Sequence, residues 1–431
     1  MRRSIQHKSK PVAVGQNPRP LTIEKPIYGG SFLGRVDGKA HFVPFALPGE
    51  EVVARALEEK KSFARCELVS IEKPARERIA PRCPHFTHCG GCDYQHADYE
   101  TQLGWKRAIL EETFLRAGIA VPDQVRVLAA EPWGYRNRIR LAVDATGGLG
   151  YRERNSHRVA RVHECPIAAP QLMVAAQELE AALKQLPAIG VEEIELFTAP
   201  AGESLLARIL AHSPRTGWLE RLARLTTTIT GAMIARSPGA KAIEQTGMST
   251  LNYEVAGQHY EIANGAFFQV NQYLLDDFVE YVSGWADSAT RRVAWDLYCG
   301  AGLFAKRLAA HYEKVIAVES APPAVESLRA NLDHSRCEVV ESTVEVFLKS
   351  AAASAKPDLV IADPPRAGLG QAVASHLNCA RAERIIYISC DPATMARDLV
   401  HLANYSVQSI AMADLFPQTF HLETIAVLGL K

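Results

Sequence analysis

The residues with the clearest chemical potential stand at the ends of predicted strands in the last third of the chain. Cys390 follows the strand-forming run RIIYIS and precedes Asp391-Pro392, a pattern that predicts a strand end at the thiol. In an open parallel α/β sheet, ligands bind at the carboxyl ends of the strands. The amino end of the next helix would favour the thiolate. Cys390 is therefore a candidate nucleophile, although a lone Cys is more often a small packing residue.

Two acidic residues are predicted to lie at the same edge. Asp363 follows the strand PDLVIA and precedes Pro364-Pro365-Arg366, and two prolines hold such an acid in a rigid, extended turn. That rigidity suits a group facing a planar substrate. Glu423 begins the final strand in HLETIAVL. Taken alone it would be a surface charge, but its position predicts a carboxylate facing the same cleft.

A glycine turn and a third acid predict a site for an adenosine cofactor. The strand VAWDLY leads into Gly300 and Gly302, which let the backbone approach a ligand, and KVIAVE ends at Glu319 about twenty residues later. An acid at that spacing is placed to bind ribose hydroxyls. Because Ala305 replaces the last glycine of the GxGxxG pattern, a dinucleotide is disfavoured.

A cysteine group near residue 90 predicts a metal site. Cys83, Cys89 and Cys92 lie in CPHFTHCGGC, and Cys165 in HECPIAAP is the nearest remaining Cys downstream. Glycines between such ligands let the backbone wrap a metal centre. Four thiolates suit zinc or an iron–sulfur cluster, and the spacing does not decide between them.

The elements that position these groups fall into distinct stretches. Short strands broken by turn residues predict a small barrel from Leu21 to about Lys73, an amphipathic helix is predicted from Tyr99 to Ala117, and strands alternate with helices after Ile262. Between them, an arginine-rich stretch favours contact with nucleic acid over a solvated sheet face. Its members are Arg136, Arg138, Arg140, Arg152, Arg154, Arg158 and Arg161.

Length and composition set broad limits. The 431 residues suffice for two or three domains, and 48 basic against 48 acidic residues give no global argument for nucleic acid. The basic start MRRSIQHKSK lacks an apolar run, so no secretory signal is expected. No apolar run approaches the ~18 residues of a membrane span. The nine cysteines are expected to be reduced or metal-bound, and the protein cytoplasmic.

Five motifs resemble the RNA uracil-C5 (5-methyluridine) methyltransferase family over almost the whole chain. They are DLYCGAG, ADPPRAG, ISCDPATMARDL, FPQTFHLETIAVL and CPHFTHCGGC. The resemblance is strongest to members with an amino-terminal TRAM barrel and a 4Fe-4S cluster that act on 23S ribosomal RNA. It implies a multidomain fold: a basic tail over 1–13, a TRAM/OB-like barrel over 14–75, a central α+β RNA-binding domain with the cluster over 76–262, and a seven-stranded Rossmann-like methyltransferase domain over 263–431.

The resemblance also implies roles for individual residues. Cys390 would be the nucleophile that adds to uracil C6, Glu423 the base, and Asp363 the group that binds the uracil edge. The aromatic pair Phe267-Phe268 and the arginine-rich stretch, in which Arg136, Arg138 and Arg140 alternate as on one face of a strand, would hold the RNA strand from which the uridine is extruded. S-adenosyl-L-methionine would be held by Gln269, Tyr298, Gly300, Gly302, Glu319, Ser342 and Asp363, and the cluster by Cys83, Cys89, Cys92 and Cys165. Leu303, Ser342 and Asp391 depart from the residues common in relatives, which affects cofactor binding and substrate choice more than the reaction.

Several alternatives remain open on the sequence alone. The same chemistry could act on transfer RNA, since only the barrel and the cysteines favour ribosomal RNA. An amino-group methyltransferase would share the Asp-Pro-Pro motif but would have no use for Cys390. An inactive RNA-binding relative would not need Cys390, Asp363 and Glu423 together. An iron–sulfur oxidoreductase is least favoured by the incomplete glycine motif. Neither a membrane nor an obligate protein partner is indicated.

Overall fold

The computed structural model describes residues 17–122, 125–200, 202, 204–237, 239–286, 290–350, 353 and 356–431, and the predicted basic tail lies outside these ranges. The chain divides into two compact units. The first contains residues up to Thr87, Cys92–Trp105 and Gln418–Phe420, and the second contains His88–Gly91, Lys106–Pro417 and His421–Lys431.

The first unit contains a closed five-stranded barrel. Its strands are β1 (Arg19–Ile27), β2 (Ser31–Val36), β3 (Lys39–Pro44), β4 (Glu51–Glu59) and β5 (Phe63–Lys73), in the order β1-β2-β3-β5-β4. The barrel closes because β1 also pairs with β4. Alternate residues such as Leu21 and Ile23 point into its core, as the period of a strand requires. The prediction of a small barrel is confirmed, and the fold fits an OB-like domain.

A seven-stranded sheet occupies the middle of the chain in the second unit. Helix α1 (Tyr99–Arg116) crosses the boundary between the units, and β6 (Arg126–Leu128) follows it. The sheet consists of β7 (Arg138–Val143), β8 (Leu149–Arg152), β9 (Val159–Arg161), β10 (Val191–Thr198), β11 (Leu205–Ala211), β12 (Gly231–Ala235) and β13 (Glu244–Gly247), in the order β13-β12-β11-β10-β7-β8-β9. Helices α2 (Pro170–Leu183) and α3 (Trp218–Ala223) supply buried side chains to its core.

The last third of the chain builds an eight-stranded sheet with helices between its strands. After the hairpin β14 (Thr250–Val255) and β15 (Gln258–Ala263), the elements are α4 (Leu275–Gly284), β16 (Val293–Leu297), α5 (Ala305–Leu308), β17 (Lys314–Glu319), α6 (Pro322–Asn331), β18 (Cys337–Glu341), α7 (Val344–Phe347), β19 (Leu359–Ala362), α8 (Gly370–Ala380), β20 (Arg384–Ser389), α9 (Pro392–Leu399), β21 (Tyr405–Ala413) and β22 (Glu423–Leu430). The strand order is β18-β17-β16-β19-β20-β22-β21-β6.

Five of these strands run parallel, so their carboxyl ends share one edge of the sheet. All four residues of β19 and five of the six in β20 are buried, which explains why these strands read as continuous apolar runs. Strand β22 is antiparallel to both β20 and β21. Its first residue therefore lies at the edge where the parallel strands end.

The sheet has one strand more than the seven that the resemblance implied. The additional strand is β6, which pairs in parallel with β21. It comes from the stretch 76–262 that the sequence placed in a separate central domain. Three residues are too few to show a periodic pattern, so this pairing could not be predicted from the sequence.

Candidate active site

A cavity of about 620 Å³ lies at the carboxyl ends of the parallel strands. Most of the predicted catalytic and cofactor residues line it: Gln269, Tyr298, Gly300, Glu319, Ser342, Asp363, Cys390 and Glu423. Gly302 does not line this cavity. Its φ is +88° and a Cβ there would meet the side chain of Leu328, so Gly302 allows close packing against α6.

Cys390 and Glu423 are brought together by the antiparallel pairing of β20 and β22. Ser389 pairs with Thr424, and the residues one step beyond this pair are Cys390 and Glu423. Asp363 follows β19, the neighbour of β20 on its other side. Three functional groups that the sequence separates by up to 60 positions thus line one cavity.

The two carboxyl groups of the cavity resist ionisation. Burial raises the pKa of Asp363 to about 7. Burial also raises the pKa of Glu423 well above its ordinary value, and the nearby charge of Asp363 raises it further. A carboxyl group with a raised pKa is suited to accept and release a proton near neutral pH.

The surroundings of Cys390 favour the protonated thiol. Burial raises its pKa to about 11, with a further contribution from Glu423, while the charge of Arg366 opposes the shift. The sequence-based expectation that the α9 amino end favours the thiolate is therefore wrong. The reason is that burial outweighs the effect of the helix end. In addition, Asp391 caps this helix, since its carboxylate accepts hydrogen bonds from the N–H groups of Ala393 and Thr394.

Arg366 and His421 also line the cavity, and the sequence did not single them out as site residues. Arg366 Nη2 lies 3.1 Å from a ring nitrogen of His421. Burial lowers the pKa of His421 to about 3, and the charge of Arg366 contributes. His421 is therefore neutral at physiological pH and can accept a hydrogen bond from the guanidinium. The His lies two residues before Glu423, which is the one signal that could have pointed to it.

The glycine turn and Glu319 form a rigid corner that fits an adenosine cofactor. The Glu319 carboxylate accepts hydrogen bonds from the N–H groups of Gly300, Ser320 and Ala321, at 3.0, 2.6 and 2.7 Å. This fixes the acid at the end of β17, where a ribose would be bound. Gly300 has a φ of +56° and no atom within 4 Å of an added Cβ, so open space adjoins it.

Two of the positions that depart from the relatives differ in their placement. Leu303 is buried in the apolar core, and its carbonyl accepts a hydrogen bond from Tyr260. Ser342 lines the cavity, and its N–H donates to the carbonyl of Glu319. Leu303 also lines a small second cavity with Gln269, Tyr298, Gly300 and Asp363, so both positions lie beside predicted cofactor residues.

The aromatic pair that the sequence assigned to the RNA strand is divided between two environments. Phe267 is 61% exposed and lines the cavity, whereas Phe268 is 2% exposed and packs in the core, 4.9 Å from the ring of Tyr253. Consecutive residues of an extended segment point to opposite sides. Only Phe267 is available to stack on a base, and the expectation for Phe268 is wrong.

The arginine-rich stretch does not present a continuous face for phosphates. The side chain of Arg138 is only 10% exposed, and it pairs with Glu195 at 3.2 Å. Arg140 pairs with Glu193 and Glu195, Arg158 with Glu153, and Arg161 with Asp144. These ion pairs neutralise much of the charge that the sequence suggested for RNA. Asp144 and Glu153 lie within the same stretch, but Glu193 and Glu195 lie on β10, and Glu195 is 57 positions beyond Arg138, too far to be found from the local pattern.

The four predicted metal ligands are distributed over both units. Cys83 and Cys92 belong to the first, and Cys89 and Cys165 to the second. Within the second unit, Cys89 forms a β-bridge with Glu153 just after β8, and Tyr151 of β8 donates a hydrogen bond to Cys165 Sγ at 3.8 Å. Across the described parts of the chain, no three or more His, Cys, Asp or Glu side chains are grouped so as to hold a metal ion.

The topology and the cavity define a Rossmann-like methyltransferase with a cysteine and two acids at the cofactor edge. The chain matches the model of the tRNA (uracil-5-)-methyltransferase family over residues 98–431. The protein belongs to this family, and it is an S-adenosylmethionine-dependent RNA uracil-C5 methyltransferase.

Individual relatives resemble the chain along nearly its whole length. A 23S rRNA (uracil(1939)-C(5))-methyltransferase of Vibrio parahaemolyticus is 31% identical, with 99% of each chain covered. One of the same name from Klebsiella pneumoniae is 34% identical, with 92% of each covered. The crystal structure of Pyrococcus abyssi tRNA (uracil-54, C5)-methyltransferase in complex with S-adenosyl-L-homocysteine superposes with a TM-score of 0.75 at 25% identity, covering 95% of this chain and 99% of that one.

The described helices include none that is both long and apolar enough to span a membrane.

Proposed function

We propose that the protein methylates C5 of one uridine in 23S rRNA, at the position equivalent to uracil 1939 of its relatives. The observation that carries the reaction is the convergence of Cys390, Asp363 and Glu423 on one cavity with Glu319. The choice of ribosomal RNA is supported by relatives 31–34% identical over 92–99% of the chain. An enzyme with this substrate would work in the cytoplasm, where ribosomes are assembled.

The reaction would proceed through a covalent adduct on Cys390. Uracil C5 is a poor nucleophile. Once the Cys390 thiol and the Glu423 carboxyl group have released their protons to solvent, addition of the Cys390 thiolate to C6 gives an enolate with electron density at C5. S-adenosylmethionine supplies the electrophilic methyl group. Glu423 would then accept the C5 proton, and the electrons of that C–H bond re-form the C5–C6 double bond as the sulfur leaves. Arg366 would assist the first step, since its charge lowers the pKa of the thiol.

The remaining cavity residues would orient the two reactants. Glu319, held by the Gly300 N–H, would bind the ribose hydroxyls of the cofactor, with Gln269, Tyr298 and Ser342 completing its site. Asp363, whose raised pKa keeps a proton available near pH 7, would hydrogen-bond the uracil edge and fix the ring over the methyl group.

The target uridine would have to leave the RNA stack to enter this cavity. A stacked base cannot reach a site at the bottom of a protein cleft, and enzymes of this kind extrude it. Phe267, exposed at the cavity, would stack on a base of the opened strand.

The cysteines Cys83, Cys89, Cys92 and Cys165 would hold a 4Fe-4S cluster. Their chemistry fits, because four thiolates match the ligand requirement of such a cluster. The loop fits as well: a Cβ at Gly90 would lie 3.0 Å from the Arg152 carbonyl, and one at Gly91 would lie 3.5 Å from Cys89 Sγ. Methyl transfer to the adduct requires no electrons, so the cluster would stabilise the fold or help to bind RNA.

The same chemistry on transfer RNA is the second candidate. It is favoured by the superposition on the Pyrococcus abyssi tRNA enzyme over 95% of the chain. The decisive experiment is incubation of the enzyme and labelled S-adenosylmethionine with unmodified 23S rRNA and tRNA, followed by mapping of the labelled base. Label at one uridine of 23S rRNA supports the proposal, label in tRNA supports the second candidate, and label on an exocyclic amine would overturn both.

The covalent step has its own test in the Glu423→Gln variant. Without the base the C5 proton stays in place, so the methylated RNA should remain attached to Cys390 as a complex that survives denaturing electrophoresis. The double variant Cys390→Ala/Glu423→Gln is the control and should give no such complex. An unaltered methylation rate in Glu423→Gln would reject the role of Glu423.

A further inference from the structure

We infer that Arg138 and Asn137, at the start of β7, are positioning residues for the cofactor side of the cavity. They hold the segment 266–270, which carries Phe267 and Gln269 into the cavity. This inference rests on the proposed function, in which Gln269 contacts S-adenosylmethionine. It assigns a different task to the arginine-rich stretch from the RNA contact that its composition suggested.

The hydrogen bonds from β7 fix the backbone of this segment at three carbonyl groups. Arg138 Nη1 donates to the Ala266 carbonyl at 2.7 Å. Asn137 Nδ2 donates to the Gln269 carbonyl at 2.9 Å, and its backbone N–H donates to the Val270 carbonyl at 3.0 Å. The bonds bracket Phe267 and Gln269 on both sides. A shift of the segment would therefore require at least one of them to break.

Arg138 is more deeply buried than an arginine that contacts phosphate at the protein surface needs to be. Its guanidinium lies 4.0 Å from the ring centroid of Phe197 and pairs with the buried Glu195. Burial lowers its pKa, and Glu195 opposes that shift. Because burial of a charged group is costly unless it is paired, a guanidinium retained here is best explained by its Nη1, which donates to both the Glu195 carboxylate and the Ala266 carbonyl.

Asn137 is equally enclosed and links the segment to the core. It has no exposed surface, and its Nδ2 also donates to the Tyr253 hydroxyl at 2.7 Å. The Tyr253 ring in turn packs against Phe268. The strand thus holds the segment both by its carbonyls and through the buried aromatic side chain. The result is the alternation that directs Phe267 and Gln269 to the cavity and Phe268 to the core.

The test compares Arg138→Met with Arg140→Met. Arg140 is a matched control because it pairs with the same Glu195 at 3.1 Å but has a side chain that is 56% exposed. Calorimetric titration with S-adenosylhomocysteine measures the cofactor site without catalysis, and filter binding over a range of salt concentrations measures RNA affinity. We expect Arg138→Met to weaken S-adenosylhomocysteine binding by about tenfold or more with RNA affinity and its salt dependence unchanged, and Arg140→Met to leave cofactor affinity unchanged.

Two further variants keep the inference open to refutation if Arg138→Met does not fold. Arg138→Lys retains the charge beside Glu195 and should recover part of the cofactor affinity, and Asn137→Ala releases the Gln269 carbonyl without disturbing the buried ion pair. Unchanged S-adenosylhomocysteine affinity in folded Arg138→Lys and Asn137→Ala would overturn the inference. So would a loss of RNA affinity with a reduced salt slope, which marks a lost phosphate contact. Wild-type protein that bound no S-adenosylhomocysteine would instead reject the proposed cofactor site.

Discussion

Glu423 lies beside Cys390 because the two residues extend the same antiparallel pair, Ser389 with Thr424, by one position. Burial raises the pKa of the thiol most, and the Glu423 carboxyl group raises it further. The proposed roles of Cys390 as nucleophile and Glu423 as base would require this proximity, since both would have to reach adjacent carbons of one ring. The same proximity makes the ionisation state of the pair testable.

Replacement of Cys390 by Ala should abolish methylation while RNA binding persists. Loss of the only group proposed to bond to C6 is expected to lower the rate by about 1000-fold or more. Incorporation of labelled methyl groups into RNA measures the rate, and filter binding measures the affinity. Cys379→Ala is the control, because Cys379 is exposed on α8 and its loss should change neither. A Cys390→Ala enzyme with the wild-type rate would end the covalent mechanism.

Alkylation of Cys390 by iodoacetamide should be slow and should accelerate with pH. With a pKa of about 11, the thiolate fraction rises about tenfold for each pH unit between 8 and 10. Arg366→Gln removes a charge that lowers this pKa, so the pKa should rise and alkylation at pH 8 should slow several-fold. Mass spectrometry of the Cys390 peptide gives the rate, and the Cys379 peptide in the same digest provides an internal control. Equal or faster alkylation in Arg366→Gln would contradict this assignment.

Asp363→Asn should inactivate the enzyme but stabilise its fold at alkaline pH. The folded protein holds the pKa of Asp363 at about 7, above the ~3.9 of an unfolded chain. The folded state therefore binds the proton more tightly, and stability is lost as pH rises from about 4 through 7. A neutral amide avoids this loss, so the gain in unfolding free energy should be on the order of 2–3 kcal/mol larger at pH 8 than at pH 5. Urea denaturation at both pH values measures it, and a gain that shrank toward pH 8 would refute the sign.

Gly368→Ala should damage the loop that carries Asp363 and Arg366. Gly368 has a φ of +76°, and a Cβ there would collide with the side chains of Thr394 and Asp398 on α9. Asp398 also accepts a hydrogen bond from the Leu369 N–H at 2.7 Å, so the collision would also break this hydrogen bond. We expect a destabilisation of ~2–4 kcal/mol and a lower kcat.

Gly370→Ala is the matched control for this loop. Gly370 also has a positive φ, +69°, but no atom lies within 4 Å of an added Cβ. Its substitution should cost only the backbone strain of about 1 kcal/mol. Urea denaturation and steady-state kinetics of both variants separate collision from strain. Equal losses in the two variants would show that packing against α9 is unimportant.

Anaerobically purified protein should be brown if the four cysteines hold an iron–sulfur cluster. Cys89→Ala removes one proposed ligand and should abolish the visible absorbance, while Cys66→Ala should preserve it because Cys66 is buried in the barrel core. Absorbance spectra with iron and sulfide analysis provide the measurement. If the protein were colourless and contained stoichiometric zinc, the four cysteines would be assigned to a zinc site instead of a cluster.

The position of the candidate site residues at one edge of the sheet could be predicted from the sequence, because the parallel strands that carry them are apolar runs. Glu319, Asp363 and Cys390 follow such runs, and the rule that ligands bind at strand ends was enough to bring them together. The protonation states of these side chains could not be predicted from the sequence. The sequence indicates a helix after Cys390. It does not reveal that Asp391 caps the amino end of that helix, or that burial raises the pKa of the Cys390 thiol more than the helix end lowers it.

Partners distant in sequence account for the other failures. The alternation of Arg138 and Arg140 was correctly assigned to a strand, but Glu195, 57 positions beyond Arg138, determines that Arg138 is buried. Likewise, two adjacent aromatics look equivalent in the sequence, and only the packing of Tyr253 separates Phe268 from Phe267. A local pattern predicts which residues share a face but not what covers it.

The three-residue strand β6 along β21 has a practical consequence for work on isolated fragments. The edge strand (the rim) of an open sheet has unpaired backbone amide and carbonyl groups, which can pair with strands of other molecules and cause aggregation. Residues 126–128 shield part of that rim, although they precede the sheet by well over a hundred positions. A fragment starting at residue 263 would lose this shield, and any insolubility would reflect a bare rim rather than defective chemistry.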